Sequence, residues 1–294
     1  MSDVIDIISP TETPLYSSLK KSKCVARFFE WQTDALAAAA NNAQLEGDDI
    51  SSFTAVAPST RWGNYTQISY KNFIISDTEE VVDKAGRKSE IAFQKMKKMK
   101  ELKRDAEVAL IGNQTFNAGA TGTARQTRGL AGWITQGSVG AGTGAFPIPS
   151  SNTAPVAGTA RALTESLVKS AMQTAYTAGG SPGVLLVRPS DKVIVSTFSG
   201  NATRFEQSDS NELNAAFDFY VTDFGRLNVV PDRFFGSENS AYLLDLDHVT
   251  FKTLRNVEAK PLAKTGDAEK MLLTWEYGLQ MDNKDAHAVI RDLT

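Results

Sequence analysis

Ser89–Gly112, SEIAFQKMKKMKELKRDAEVALIG, constrains this chain more than any other stretch. Neither Gly nor Pro interrupts it before its last residue, and strong helix formers fill it. Ser89 is placed to accept bonds from the first free backbone N–H groups, and Glu90 suits the first turn. Gly112 tolerates positive φ, which predicts a stop there. Such a helix is roughly 36 Å long at 1.5 Å per residue. Ile91, Met99, Leu102, Ala106, Ala109 and Leu110 fall on one arc, with Ala92 and Met96 beside it, so one face is expected to be buried. Lys97, Lys98, Lys100 and Arg104 lie outside that arc, and Lys95 and Lys103 border it.

Basic charge is concentrated around this helix. Lys84–Arg104 carries nine Lys and Arg against Glu90 and Glu101, a net +7 in a chain of −3. The remainder is therefore strongly anionic. A cationic rod on an anionic body predicts contact with a negative surface, unless the rod is simply a solvated face. Lys97, Lys100 and Arg104 are the candidate residues facing nucleic acid or a neighbouring copy.

The 294 residues suffice for one large core or two small ones. Fifteen Phe, seven Tyr and four Trp argue against disorder. Cys24 is the single cysteine, so no intramolecular disulfide forms, and a reducing compartment fits. The N-terminus lacks the basic and apolar regions of a signal peptide, and no window has the roughly 20 apolar residues of a membrane span. A soluble chain without a recognisable export signal is expected.

Before the long helix the chain does not read as a self-contained unit. Val4–Ile8 predicts a short helical turn, Leu15–Lys23 a short helix, Val25–Thr33 a strand and Ala35–Ala43 a small helix. Residues 51–82 alternate as strands, with Trp62, Asn64, Thr66, Ile68 and Tyr70 on one face. Few core residues accompany them, so a β-hairpin projecting from the body is expected, which needs a partner surface because isolated hairpins are marginal. Residues 113–162 are rich in Gly, Ala, Ser, Thr and Asn, and only GLAGWI (129–134) looks able to anchor them. Beyond 163 an α/β layer follows. It comprises a helix from Leu163 to Ala175 with Thr164 as N-cap and Gly179–Gly180 as stop, a buried strand GVLLVR (183–188) and a helix Asp191–Phe198. Strands are then expected at 217–223, 226–230, 241–246, 249–254, 272–281 and 286–290.

Catalytic chemistry is weak throughout. GGSPG (179–183) matches the letters G-x-S-x-G, but the required order is strand, Ser, helix, and here a helix precedes and a strand follows. Ser181 therefore reads as turn chemistry. GAGTG (140–144) lacks the setting of a nucleotide loop. His248 beside Asp245 and Asp247 is a weak metal candidate, and His287 stands alone. Cys24, beside Lys23 and Arg27, is a candidate low-pKa thiol without an evident base. No enzyme activity, cofactor or metal is expected.

Several segments in order resemble tailed-phage major capsid proteins of the Hong Kong 97 fold, in the branch of phage Salmonella University 10. They are SPTETPLYSSL (9–19), FFEWQTDAL (28–36), AQLEGDD (43–49), AGRKSEIAFQKMKKMKELKRDAEVALIGN (85–113), GLAGW (129–133), TDFGRLNVVPDRF (222–234), LLDLDHV (243–249) and LAKTGDAEKMLLTWEYGLQMDNKDAHAVI (262–290). The resemblance implies an α+β capsid fold. Residues 1–50 would be an N-terminal arm and 51–84 an extended β-hairpin loop. Residues 85–162 would hold the spine helix (89–112) and the long Gly-rich loop of a peripheral domain, and 163–245 an axial domain. Residues 246–294 would supply returning peripheral strands and a closing axial strand. The implied function is a structural protein that self-assembles through hexamers and pentamers into an icosahedral head around double-stranded DNA. It would assemble in the host cytoplasm and reside in the virion, with a portal and, in some relatives, scaffold or decoration proteins as partners. Met1 stands nearly at the arm, so no preceding scaffolding segment is expected.

Aromatic residues of the arm and loop, Phe28, Trp31, Trp62, Tyr65, Tyr70 and Phe73, are then the expected inter-subunit contacts. Three other readings stay open: a nanocompartment shell of the same fold packaging cargo enzymes, a nucleic-acid-binding protein using the basic helix, and a hydrolase at Ser181.

Overall fold

The computed structural model describes residues 9–44, 46–47, 49, 53–82, 89–198, 219–235 and 239–294. In chain order these form α1 (Pro14–Ser18), β1 (Lys20–Lys23), β2 (Phe28–Thr33), β3 (Thr60–Tyr65), β4 (Gln67–Ser76), α2 (Asp77–Val81) and the long α3 (Glu90–Ile111). After a largely irregular stretch holding the short β5 (Gly137–Ser138) come α4 (Glu165–Thr177), β6 (Val184–Val187) and α5 (Pro189–Val195). The chain ends with β7 (Phe219–Thr222), β8 (Gly225–Pro231), β9 (Ala241–Leu244), β10 (Val249–Pro261), β11 (Ala268–Met281) and β12 (Ala288–Ile290).

The long helix forms as expected at its start. Ser89 Oγ accepts the Ala92 N–H at 3.2 Å. Its end differs from expectation. Gly112 is extended, with φ −57° and ψ 154°, not left-handed. What demands glycine there is space: a Cβ would meet the Val108 carbonyl oxygen at 2.9 Å. At Gly129 a Cβ would come within 2.3 Å of the Gly112 carbonyl oxygen, so the loop passes hard against the helix terminus. The predicted apolar face is buried only in its second half. Leu102, Ala106, Leu110 and Ile111 are fully buried, whereas Met96 and Met99 stay exposed.

Two sheets carry the fold. One has strand order β1-β10-β11-β4, the other β5-β12-β9-β6-β8-β7. α3 packs along β4 and β11 of the first. The second is covered on both faces, which explains its apolar strands. Leu186, Tyr242, Leu244 and Val289 join the core around α3. Their neighbours Leu185, Val187, Leu243 and Ile290 face α4 and its core, with Val168, Ala171 and Met172. Gly179 ends α4 at φ +87°, where only glycine sits without strain.

The strand pairing before α3 corrects the expected hairpin. β3 does not pair with β4. β2 and β3 form an antiparallel ribbon from Phe28↔Tyr65 to Thr33↔Thr60. β4 instead joins the first sheet, running antiparallel to β11 from Ala268↔Ser76 to Tyr277↔Gln67. Thr66 separates the two strands, with its N–H on the Arg27 carbonyl and its Oγ1 on Glu276. That break reverses the alternation: Trp62 and Asn64 turn inward, but Ile68 and Tyr70 turn out. The expected helix at 35–43 is absent, since no regular structure occurs from 34 to 44. Leu15–Lys23 divides into α1 and β1. The expected turn at Val4–Ile8, and Lys84, Arg87 and Lys88, lie outside the described residues.

The arm is tied down where α1 meets α3. Glu107, fully buried on α3, accepts the N–H groups of Leu15 at 2.6 Å and Tyr16 at 2.8 Å. The Gly-rich stretch is knit by bridges, Asn117↔Gln126, Ala145↔Val156 and Ile148↔Thr153 among them. Its anchor is Thr127–Ile134, buried throughout. This includes the expected GLAGWI and two polar residues that hydropathy gives no reason to place inside.

Candidate assembly interface

The ribbon of β2 and β3 has a packed root and a bare tip. Phe28 and Tyr65 pack together at 4.6 Å between ring centroids, and Tyr65 reaches Phe116 at 5.4 Å. Trp31 and Trp62 close around buried Trp133 at 5.4 and 6.2 Å. The Trp62 indole N–H donates to Thr33 Oγ1 at 2.9 Å. The four expected inter-subunit aromatics that lie on the ribbon are thus half-buried within their own chain. Beyond them every described residue from Asp34 to Ser59 is exposed. Leu36, Phe53 and Val56 are 99%, 88% and 95% exposed, apolar side chains with no cover among the described residues.

A second uncovered surface lies on β4. Phe73 and Ile75 face inward toward the core, with Phe73 packed against it. On the opposite face Ile68, Tyr70 and Ile74 are exposed. Tyr70 is the one expected contact residue left largely open, and Ile68 and Ile74 beside it escaped sequence reading because the break at Thr66 was not legible.

The basic face of α3 is less uniform than its sequence. Lys97 is exposed, while Lys100 and Arg104 are half-buried. The Arg104 guanidinium lies over the Phe234 ring at 5.5 Å. Lys98 pairs with Glu101 at 2.9 Å, and Asp105 pairs with Lys71 of β4 at 2.7 Å. Part of the charge is therefore used to seat the helix.

The residues weighed for chemistry do not assemble into a catalytic group. Ser181 engages Asp245 through its backbone N–H, at 3.2 Å. His287 is fully buried, and its Nδ1 accepts the Asp245 N–H at 3.0 Å. Burial holds its imidazole down to about 4, so it is neutral at physiological pH. His248 Nε2 stands 4.0 Å from Asp245 Oδ2 on the surface. Burial pushes the Cys24 thiol up, against the expected low-pKa thiol, and outweighs the nearby Lys252. Among the described residues no cluster of His, Cys, Asp and Glu is set to hold a metal ion. No described helix is long and apolar enough to cross a membrane.

Over residues 1–294 the sequence matches the SU10 major capsid protein family. The chain belongs to that family. It is a tailed-phage major capsid protein, a structural shell component of the virion rather than an enzyme. The major capsid protein of Escherichia phage Phieco32 is 27% identical across 97% of this chain and 91% of its own. The capsid of cyanophage A-1(L) superposes with a TM-score of 0.65 at 16% identity, covering 100% of this capsid protein and 96% of the other chain. A chain from Gordonia phage Cozz gives 0.64 at 12% identity, covering 100% and 90%. The SrpI encapsulin of Synechococcus elongatus gives 0.57 at 10% identity, covering 99% and 90%. At such identities these likenesses show the fold alone, the Hong Kong 97 type.

Proposed function

We propose that this capsid protein builds hexamers and pentamers of an icosahedral head that encloses double-stranded DNA. The observation that carries the reading is the pairing of two uncovered apolar surfaces in one chain. The ribbon tip, with Leu36, Phe53 and Val56, and the outer face of β4, with Ile68, Tyr70 and Ile74, are exposed and lack a partner among the described residues. Neighbouring copies in a shell supply such partners, and stable contacts of this kind bury about 1,600 Å². The ribbon from β2 to β3, not 51–84, then acts as the extended loop. α3 with the four-stranded sheet is the peripheral domain and its spine, and the six-stranded sheet with α4 and α5 is the axial domain. Lys97 and Lys100 face the genome or an acidic patch of a neighbour. A portal, and a scaffold or decoration protein where the phage encodes one, complete the partners.

Negative-stain microscopy of the expressed chain, with analysis of what purified particles contain, tests this reading. Shells or capsomers, with DNA in particles from infected cells, support it. A strictly monomeric species at every concentration contradicts it. The likeness to an encapsulin supports a second reading, a shell around a cargo enzyme. A stoichiometric cargo protein in place of DNA would favour that one.

A further inference from the structure

Three segments distant in sequence meet at one buried carboxyl pair. Glu107 of α3 takes the Leu15 and Tyr16 amides of the arm, as above. Asp232, just after β8, is also fully buried. Its Oδ1 accepts the Phe234 N–H at 2.8 Å, and its own N–H donates to the Val187 carbonyl. No N–H or hydroxyl among the described residues reaches its Oδ2. The Glu107 carboxyl is close enough for Asp232 to raise it, and a proton on either carboxyl would give the unpartnered oxygen its hydrogen bond. Two ionised carboxylates have no hydrogen to place between them and repel in a dry site, so one proton must be shared.

Burial raises the Glu107 carboxyl most, the hydrogen bond and charge of Asp232 add to it, and the two arm amides pull it back, leaving it at about 8. Other charged groups surround the junction. Arg104 lies one turn earlier on α3, over Phe234. Glu12 of the arm, Lys192 of α5 and Arg233 beside Asp232 line a cleft at its outer side with Pro14, Pro189 and Pro231. Burial pushes the Tyr16 hydroxyl up, so it stays protonated. Of these charged groups, it is Asp232 that raises Glu107.

From this geometry we infer that Glu107 and Asp232 form a proton-operated latch: one shared proton keeps α1 seated on α3 and on the end of the six-stranded sheet, and its removal unseats the arm. Seated Glu107 keeps its proton up to about pH 8, whereas a solvated glutamate releases it near about 4.3. Between those values the open form binds fewer protons than the closed one. Opening therefore becomes more favourable as pH rises and levels off above about pH 8. The two amide bonds favour the ionised carboxyl and oppose this, but burial is the larger influence. For a shell protein, the consequence is an arm whose seat responds to proton uptake.

Amide hydrogen exchange of the full-length chain tests the latch. It is followed in the peptide covering Leu15–Leu19 from about pH 6 to pH 9 and corrected for the intrinsic pH dependence of exchange. Protection is expected to fall by as much as about tenfold per pH unit and to level off above about pH 8, while β9 stays unchanged. In Asp232→Asn the new amide donates to Glu107 and the contribution of Asp232 is lost while burial remains, so protection is expected to level off at a lower pH than in the wild type. Glu107→Gln is expected to be flat with pH, at lower protection. A wild-type profile flat within about twofold overturns the latch, as does an Asp232→Asn profile that levels off at the same pH as the wild type. If β9 loses protection in both variants they are misfolded, and the wild-type profile decides alone.

Discussion

At the scale of single residues, the polar groups inside this protein are the ones that respond to conditions. His287 is neutral and buried, with its imidazole held down to about 4. From pH 6.5 down to about 4 the unfolded chain takes up a proton that the folded chain refuses. Stability therefore falls on acidification across that window, by up to about 3 kcal/mol. His287→Gln should flatten that part of the pH profile in urea melts while costing about 1–2 kcal/mol at neutral pH, because the Asp245 N–H keeps an acceptor of poorer fit. An unchanged acid slope contradicts this role. Arg128 is the second case. Its guanidinium lies between Phe116 and Trp133, at 4.7 and 4.3 Å, and donates to the Pro149 carbonyl and Asn152 Oδ1. Burial lowers it to about 10, so it stays charged at neutral pH. Arg128→Lys loses the planar stacking and the fork, and is expected to cost about 2 kcal/mol in chemical denaturation. Neither role was legible in sequence, because nothing local marks an Arg in a Gly-rich loop as buried.

Among the elements, the ribbon of β2 and β3 separates folding from assembly. Its root aromatics belong to the core of their own chain, so their substitution should unfold the protein before it tells anything about shells. The tip is different. Replacing Leu36, Phe53 and Val56 together by Ser should leave the melting midpoint nearly unchanged, since exposed sites usually shift stability by less than about 0.5 kcal/mol each. Shell formation should be lost, as read by microscopy and sedimentation. Normal shells from the triple variant would show that the tip has no partner. On α3, Lys97→Glu with Lys100→Glu tests the charge of the open face, whereas Arg104 also packs on Phe234 and would confound the result. Impaired assembly or DNA retention is expected, with a fold unchanged by circular dichroism.

In the whole molecule, the two sheets and their helices form a body from which one ribbon extends. A deletion spanning 55–80 removes β4, which pairs with β11 along ten residues and buries Ile75. The body should not survive it. Replacing 36–57 by a short Gly-Ser turn spares every described pairing, and should give a folded chain that fails to form shells. A misfolded product there would mean that the tip supports the body.

What the sequence determined by itself was local: where α3 starts, that β6 is buried on both faces, and that Gly179 ends α4. Each follows from periodicity or from the conformational range of a single residue. The order of short segments also carried the capsid resemblance. Only the tertiary structure decided that β3 pairs with β2 and β4 with β11, that the root aromatics turn inward while the tip stays bare, and that Glu107 meets Asp232. Alternation says that a stretch is extended, but its hydrogen-bond partner is chosen by surfaces brought together from distant parts of the chain, and a carboxyl's neighbours are known only once those surfaces close.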